Sequence, residues 1–504
     1  MPIPLVNSIA SWFLKKRFHQ IELFLKYPHE VQNELLLDLV DEARDTEIGN
    51  RFGFSTVKSY DDFKARVPVS TYESMEDLIE RSRRGEQNIF WPKPIKWFAK
   101  SSGTTNSKSK FIPVSSDSLE DCHYAAGKDL LCMYLNNNED SQLFTGKSLR
   151  LGGSKELYKE NGTFFGDLSA ILIDNMPLWA EFSSTPSNKV SLMSDWEFKL
   201  QAIVDETIQE NVTSLAGVPS WMLVLLNQVL ETTKKSNLFE VWPNLEVYFH
   251  GGVSFVPYVD QYEALLPKPS FRYYEIYNAS EGFFAIQDQN NSNELLLMLD
   301  YGIFYEFIPM DSYGTPKETI IPLSEVELNT IYAVVITTNG GLWRYKIGDT
   351  IRFTSIKPYR IKVSGRTKHH INVFGEELII ENAEDALKQV CRETNSEIVD
   401  FTAAPIFMSG KEKGAHEWLI EFRTAPDNID EFNSRLDAAL MSLNSDYEAK
   451  RYNDITLRKP TIHQAKPGLF YKWLKKNDKL GGQHKVPRLS NSRIYIEELL
   501  GLNH

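Results

Sequence analysis

Two spacings of apolar residues divide the chain. Up to about residue 90, apolar positions recur every three to four residues, as in 30–43 and 74–84, which predicts helices with one buried face. From about residue 95 short apolar runs take over at 149–151, 214–216, 245–249, 273–277 and 332–336, with helical patterns over 194–210 and 219–232 between some of them. Strands alternating with helices predict an α/β architecture, and the apolar stretch 283–307 adds antiparallel character, so mixed sheets are expected. After Gly365-Arg366 the pattern restarts with a helix over 382–395, strands over 401–407 and 417–422, and a helix over 429–443. The expected organisation is a large N-terminal domain of mixed β-sheets flanked by helices, 1–367, and a smaller C-terminal α+β domain, 368–504.

The first apolar run, Ile9 to Leu14, precedes Lys15-Lys16-Arg17. A secretory signal needs the opposite order, so an amphipathic helix packed on the body is expected. No stretch approaches the roughly 20 apolar residues of a membrane span. A chain of 504 residues exceeds the size at which one core keeps growing, which supports two or more domains. With 68 Asp and Glu against 55 Lys and Arg, the formal charge is -13, and neither nucleic acid nor an anionic membrane is expected as a partner. Cys122, Cys132 and Cys391 are odd in number and lack metal-ligand spacing, which fits a reducing, cytoplasmic setting. A monomer or weak oligomer is expected.

Against this acidic background, Ser101-Ser102-Gly103-Thr104-Thr105-Asn106-Ser107-Lys108-Ser109-Lys110 concentrates hydroxyls, a flexible glycine and two lysines. Such a stretch can grip a polyphosphate through main-chain N–H groups, hydroxyl donors and ammonium charge. It reads as a loop between strands ending near 100 and starting near 111. It is not a Walker loop, since Gly146-Lys147-Ser148 has Ser141 where the first glycine should stand. Three further pieces follow. His250-Gly251-Gly252-Val253-Ser254 lets a flat base approach the backbone. Tyr277-Asn278-Ala279-Ser280-Glu281-Gly282 follows an apolar strand and brings a carboxylate suited to Mg²⁺, while Gly348-Asp349 offers acceptors for ribose hydroxyls. Taken singly, each piece can also be read as a plain surface loop or turn.

Taken in order, these pieces look like the nucleotide site of adenylate-forming enzymes, and three stretches, Ser101-Ser102-Gly103-Thr104-Thr105, Tyr277-Asn278-Ala279-Ser280-Glu281 and Arg344-Tyr345-Lys346-Ile347-Gly348-Asp349, are similar to the three signature motifs of the Gretchen Hagen acyl acid amido synthetases, as a bacterial-type member. That auxin-responsive family lies within the adenylate-forming enzymes. Near the end, Gln483-His484-Lys485-Val486-Pro487-Arg488 resembles the family's terminal loop. The resemblance implies a two-step ligase: a carboxylic acid is adenylated by ATP with Mg²⁺, then an amine, usually of an amino acid, takes the acyl group. It further implies that Ser101, Ser102, Thr104 and Thr105, helped by Gly103 and Lys108, hold phosphates, and that Glu281 holds the metal. Asp349 and Arg366 would hold the ribose. Gly251, Gly252, Val253, Tyr277, Asn278, Ala279 and Ser280 would surround the adenine, and Lys485 would reach the phosphates from the small domain. Lys368, in Gly365-Arg366-Thr367-Lys368, falls where the superfamily's hinge lies. The adjacent His369 and His370 point to opposite faces of a strand and are expected to be structural. The helix 117–135 should line the acyl pocket, with His123 and Lys128 as candidates for the acid. No arginine on it can be placed at the carboxylate, so plant-hormone substrates are not carried over. Two alternatives are a ligase using coenzyme A and a nonenzymatic nucleotide-binding scaffold.

Overall fold

The computed structural model describes residues 17–104, 107–152, 157–193, 195–367, 370–409, 412–452, 456–477 and 486–503. Its centre is a twelve-stranded sheet built in two halves. In the first half, Ser184–Thr185, Lys147–Leu151, Val212–Gly217, Val247–Gly251 and Arg272–Ala279 lie side by side and all run parallel. Parallel neighbours need crossovers, which the helices Pro219–Thr233 and Val259–Leu265 supply. Pro219 opens its helix where a missing N–H costs nothing. Strand Val247–Gly251 is buried along its whole length, as a strand covered on both faces must be.

Beyond Arg272–Ala279 every pairing is antiparallel, through Gly282–Ile286, Leu295–Leu297, Tyr359–Arg366, Tyr345–Ile356, Ile331–Thr338, Ile303–Pro309 and Ile321–Pro322. The N-terminal helices cover this half. Helix Tyr72–Arg83 buries Tyr72, Met75, Ile79 and Ser82, one face at three- and four-residue steps. From helix Pro28–Glu42, the buried Gln32 amide donates to the carbonyls of Leu299 (2.8 Å) and Ile303 (2.9 Å) and accepts from Tyr305 N (2.9 Å), stitching helix to sheet. The apolar run from Ile9 to Leu14 lies outside the described residues. No helix among those described is long and apolar enough to cross a membrane.

Two expectations change in the structure. Residues 101–110 are mostly strand: Trp97–Thr104 and Ser107–Val114 pair antiparallel, with Ser101 opposite Lys110 and Thr104 opposite Ser107. Ladder hydrogen bonds join main chains whatever the side chains, so polarity did not mark the strand's end. Trp343 to Asp349 reads in the sequence as the close of a strand region, but Gly348-Asp349 lies within strand Tyr345–Ile356. Gly348 takes φ +89°, and the ladder to Ile331–Thr338 slips register between Ala333 and Val335, so the strand kinks without ending.

The C-terminal part has the strand order Glu397–Ile406, Ala415–Thr424, Thr461–Ala465, packed by helices Ile380–Glu393 and Ile429–Leu443. Strand Thr461–Ala465, which the apolar pattern does not reveal, pairs parallel with Ala415–Thr424. One apolar cluster runs from Leu226 and Tyr262 of the crossover helices into Phe374, Leu387 and Trp418 of the C-terminal part. Tyr258 Oη donates to Val373 O at 2.7 Å across the same contact.

Candidate active site

Strands that run parallel send their following loops to the same side of the sheet, and here those loops surround a cavity of about 1320 Å³. Gly251 ends one strand, with Gly252 and Val253 after it, Ser280 and Glu281 follow the next, and all of them line the cavity. Both glycines on this wall are required by the backbone. A Cβ on Gly251 would lie 2.5 Å from Ile276 O of the neighbouring strand, and Gly252 holds φ +82°. Tyr277, Asn278 and Ala279 line the same cavity, as do Ser101, His123, Lys128, Asp349 and Arg366. Ser102, Gly103, Thr104 and Lys108 lie on the paired strands beside it, described through their backbone. Thr105, Lys368 and Lys485 lie outside the described residues.

Asp349 and Arg366 face each other across two antiparallel strands. Arg366 Nε meets Asp349 Oδ1 at 3.0 Å, Tyr277 Oη donates to Asp349 Oδ2 at 2.8 Å, and Arg366 Nη2 reaches Glu377 Oε1 at 3.1 Å. The Glu377 carboxylate, then Asp349, hold the Arg366 guanidinium charged against the cost of its burial. Burial, reinforced by the Asp349 carboxylate, keeps the Tyr277 phenol protonated. Each carboxylate oxygen has two acceptor directions, so Asp349 retains room for hydroxyl donors from a ligand.

Glu281 is different in kind. Desolvation pushes its carboxyl up to about 7, the Lys110 ammonium pulls it down and the Asp349 charge pushes it further up. A desolvated, under-neutralised carboxylate in a polyphosphate-sized cavity is a fit for Mg²⁺. That ion is usually held by one or two carboxylates with the remaining positions left to phosphate and water. No cluster of three or more His, Cys, Asp or Glu suited to a metal occurs among the described residues.

The model of the GH3 family N-terminal domain matches residues 17–271, the central-domain model 296–366 and the C-terminal-domain model 381–494. The chain belongs to the GH3 family. It is 22% identical to the indole-3-acetic acid-amido synthetase GH3.4 of Arabidopsis thaliana, over 93% of this chain and 90% of that one. It is 23% identical to the jasmonoyl–L-amino acid synthetase JAR4 of Nicotiana attenuata, over 76% of this chain and 78% of that one. In three dimensions it is similar to the AtGH3.15 acyl acid amido synthetase solved with 2,4-DB (TM-score 0.63, 18% identity, 97% and 96% of the two chains). It is also similar to a 2-hydroxyisobutyryl-CoA ligase (TM-score 0.58, 14% identity, 94% and 91%). The fold is thus that of the adenylate-forming enzymes.

Within this GH3 cavity the remaining residues take unequal parts. His123 sits in the π-helical turn Ser118–Tyr124, buried, with Nδ1 unpartnered among the described residues, and desolvation lowers it to about 4, so it is neutral at pH 7. Lys128 is exposed and borders both this cavity and a second one under the N-terminal helices. Arg344, from the third GH3 motif, is not in the cavity. It is buried 3% exposed at φ +45°, donating to Glu306 at 2.7 and 2.8 Å and to Val67 O at 2.7 Å, which makes it a structural tie between sheet and N-terminal helices.

Cations that the motif reading missed also line the cavity, among them Arg150 and, from the C-terminal part, Lys450 over the Trp221 ring at 4.2 Å. A charged residue between Leu149 and Leu151 was a signal, because alternation sends it to the face opposite two buried leucines. Lys450 left no comparable signal.

Proposed function

We propose that this GH3 protein is an ATP- and Mg²⁺-dependent acyl acid amido synthetase. In the first step a carboxylate oxygen of the acid bonds to the α-phosphorus of ATP and the bond to pyrophosphate breaks, giving acyl-AMP. In the second, the amine nitrogen of an amino acid bonds to the acyl carbonyl carbon, loses a proton, and AMP leaves. The observation that carries this reading is the convergence of Gly251–Val253, Tyr277–Glu281 and the Asp349–Arg366 pair on one cavity large enough for a nucleotide together with an acid.

In this reading Gly251 and Gly252 let adenine lie against the backbone, with Tyr277 beside it. Asp349, oriented by Tyr277 and Arg366, accepts from the ribose hydroxyls. The hairpin backbone around Ser101–Thr104 and the Lys108 and Lys110 charges hold the phosphates. Glu281 would hold Mg²⁺, which when bound offsets charge building on the phosphate oxygens. Residues 368–504 form the small domain that brings Lys485 to the phosphates for the first step only.

The test is acid-dependent release of pyrophosphate over aryl, indolyl and aliphatic acids, followed by mass detection of amides with pooled amino acids. Thioester in place of amide, when coenzyme A is supplied, would replace this reading with an acid–thiol ligase, and ATP binding without release for any acid would replace it with a scaffold. Lys485→Ala is expected to slow adenylation on the order of a hundredfold while leaving the use of supplied acyl-AMP within a few-fold. Equal loss in both steps would remove Lys485 from the chemistry.

A further inference from the structure

Arg150 stands on strand Lys147–Leu151 and lines the cavity. Among the described residues it forms no ion pair. Its Nη1 lies against the thioether of Met176, and its Nε is buried without a hydrogen-bond partner. Glu181 acts on it only as a distant charge, and burial lowers the guanidinium to about 10, which leaves it protonated at neutral pH. Even a half-buried cation loses hydration that nothing beside it replaces, so a cation in this position fits an anion that arrives from outside the chain.

Where that anion sits follows from the sheet order. Lys147–Leu151 is three strands away from Arg272–Ala279, which leads into Glu281. At about 4.8 Å per strand, Arg150 is roughly 14 Å from the strand of the metal and nucleotide residues. Leu172, Met176, Pro177 and Tyr124 line the cavity with it, as do Ser148, Ser184 and Asp167, and the Tyr124 hydroxyl is already spent on Leu172 O at 3.0 Å. An acid whose reacting carboxylate meets ATP near Glu281 therefore extends its far end toward Arg150.

We propose that the acyl pocket takes carboxylic acids bearing a second anionic group distal to the carboxylate that reacts, and that Arg150 binds that distal group. The assignment rests on the adenylation reading for where the first carboxylate lies. Arg150 sets specificity and takes no part in bond making.

The experiment compares dicarboxylates, among them suberate and terephthalate, with their monomethyl esters and matched monocarboxylates. It uses calorimetric binding without Mg²⁺ and pyrophosphate exchange with it, on wild type, Arg150→Met and Arg150→Lys. Wild type is expected to prefer diacids over half-esters about tenfold or more in both readouts, the scale of a charge-assisted hydrogen bond. Arg150→Met should abolish the preference while ATP affinity is unchanged, and Arg150→Lys should restore part of it. Equal handling of diacids and half-esters by the wild type overturns the proposal, whether or not the variants fold, as does binding of no acid in the panel. Exchange that is insensitive to the distal group would sink Arg150's role and leave adenylation standing. Selective binding of diacids without exchange would uphold Arg150 and sink adenylation.

Discussion

Glu281 carries its charge against its surroundings, and that has a pH signature. Its carboxyl titrates near 7 in the fold against 4.5 in an unfolded chain, so between those pH values the folded state holds a proton that the unfolded state has released. Stability from this group is full below pH 4.5 and is lost as pH rises toward 7, by at most about 3 kcal/mol. Glu281→Gln should flatten that slope in urea unfolding across the window and be more stable than wild type above it. It should also lose Mg²⁺-dependent pyrophosphate exchange on the order of a hundredfold. A variant that is no more stable at neutral pH would show that the carboxylate is not desolvated. Arg344 gives the opposite contrast, a motif residue whose work is structural. Removing it strands the Glu306 carboxylate, 1% exposed, with the Tyr60 hydroxyl at 2.8 Å as its remaining partner. Arg344→Met should cost about 3–5 kcal/mol in denaturant unfolding, and the double variant with Glu306→Met should cost less than Arg344→Met alone. Motif membership told these two residues apart poorly, because a sequence pattern does not distinguish a residue that meets a ligand from one that braces the residues that do.

At the scale of elements, the site depends on how strands end. Val247–Gly251 and Arg272–Ala279 run side by side, and the absence of a side chain at Gly251 sets how closely they approach at the cavity mouth. Gly251→Ala pushes a methyl against Ile276 O and should destabilise by about 1–3 kcal/mol while raising the Kd for ATP. Gly252→Ala, whose added Cβ meets little besides Val218 at 3.5 Å, should cost only the strain of a positive φ, about 1 kcal/mol. Similar destabilisation by both would mean that crowding at Ile276 is relieved elsewhere. Helices and strands with a clear apolar period were legible: Pro28–Glu42, Tyr72–Arg83, Pro219–Thr233 and Val247–Gly251 stand where the pattern put them, give or take a few residues. The polar hairpin around 101–110 and the short strand Thr461–Ala465 were not, because each is held by main-chain pairing to a neighbour and carries no apolar period of its own.

Across the whole molecule, the C-terminal part is fastened to the crossover helices in this arrangement. Tyr258 donates to Val373 O and Ser220 Oγ to Phe374 O at 3.2 Å, beside a shared apolar cluster. If residues 368–504 swing between half-reactions, as proposed, these bonds weight the balance. Tyr258→Phe leaves a buried carbonyl unpaired, about 1–3 kcal/mol against the docked state, and should change the ratio of pyrophosphate exchange to amide formation about tenfold while ATP affinity holds. An unchanged ratio, with both steps intact, would mean that this contact does not take part in the swing. The sequence by itself determined the α/β class, the mixed sheets, the chain order of the motifs and the family resemblance, because apolar period and local motif chemistry are written in neighbouring residues. Tertiary structure decided the rest. It put Asp349 in mid-strand opposite Arg366, gave Arg344 a bracing place away from the cavity, and brought Arg150 and Lys450 to a cavity shared with Glu281. These outcomes depend on strand order and on burial, which bring together residues up to hundreds of positions apart and change their charge, and no short window of the chain contains either.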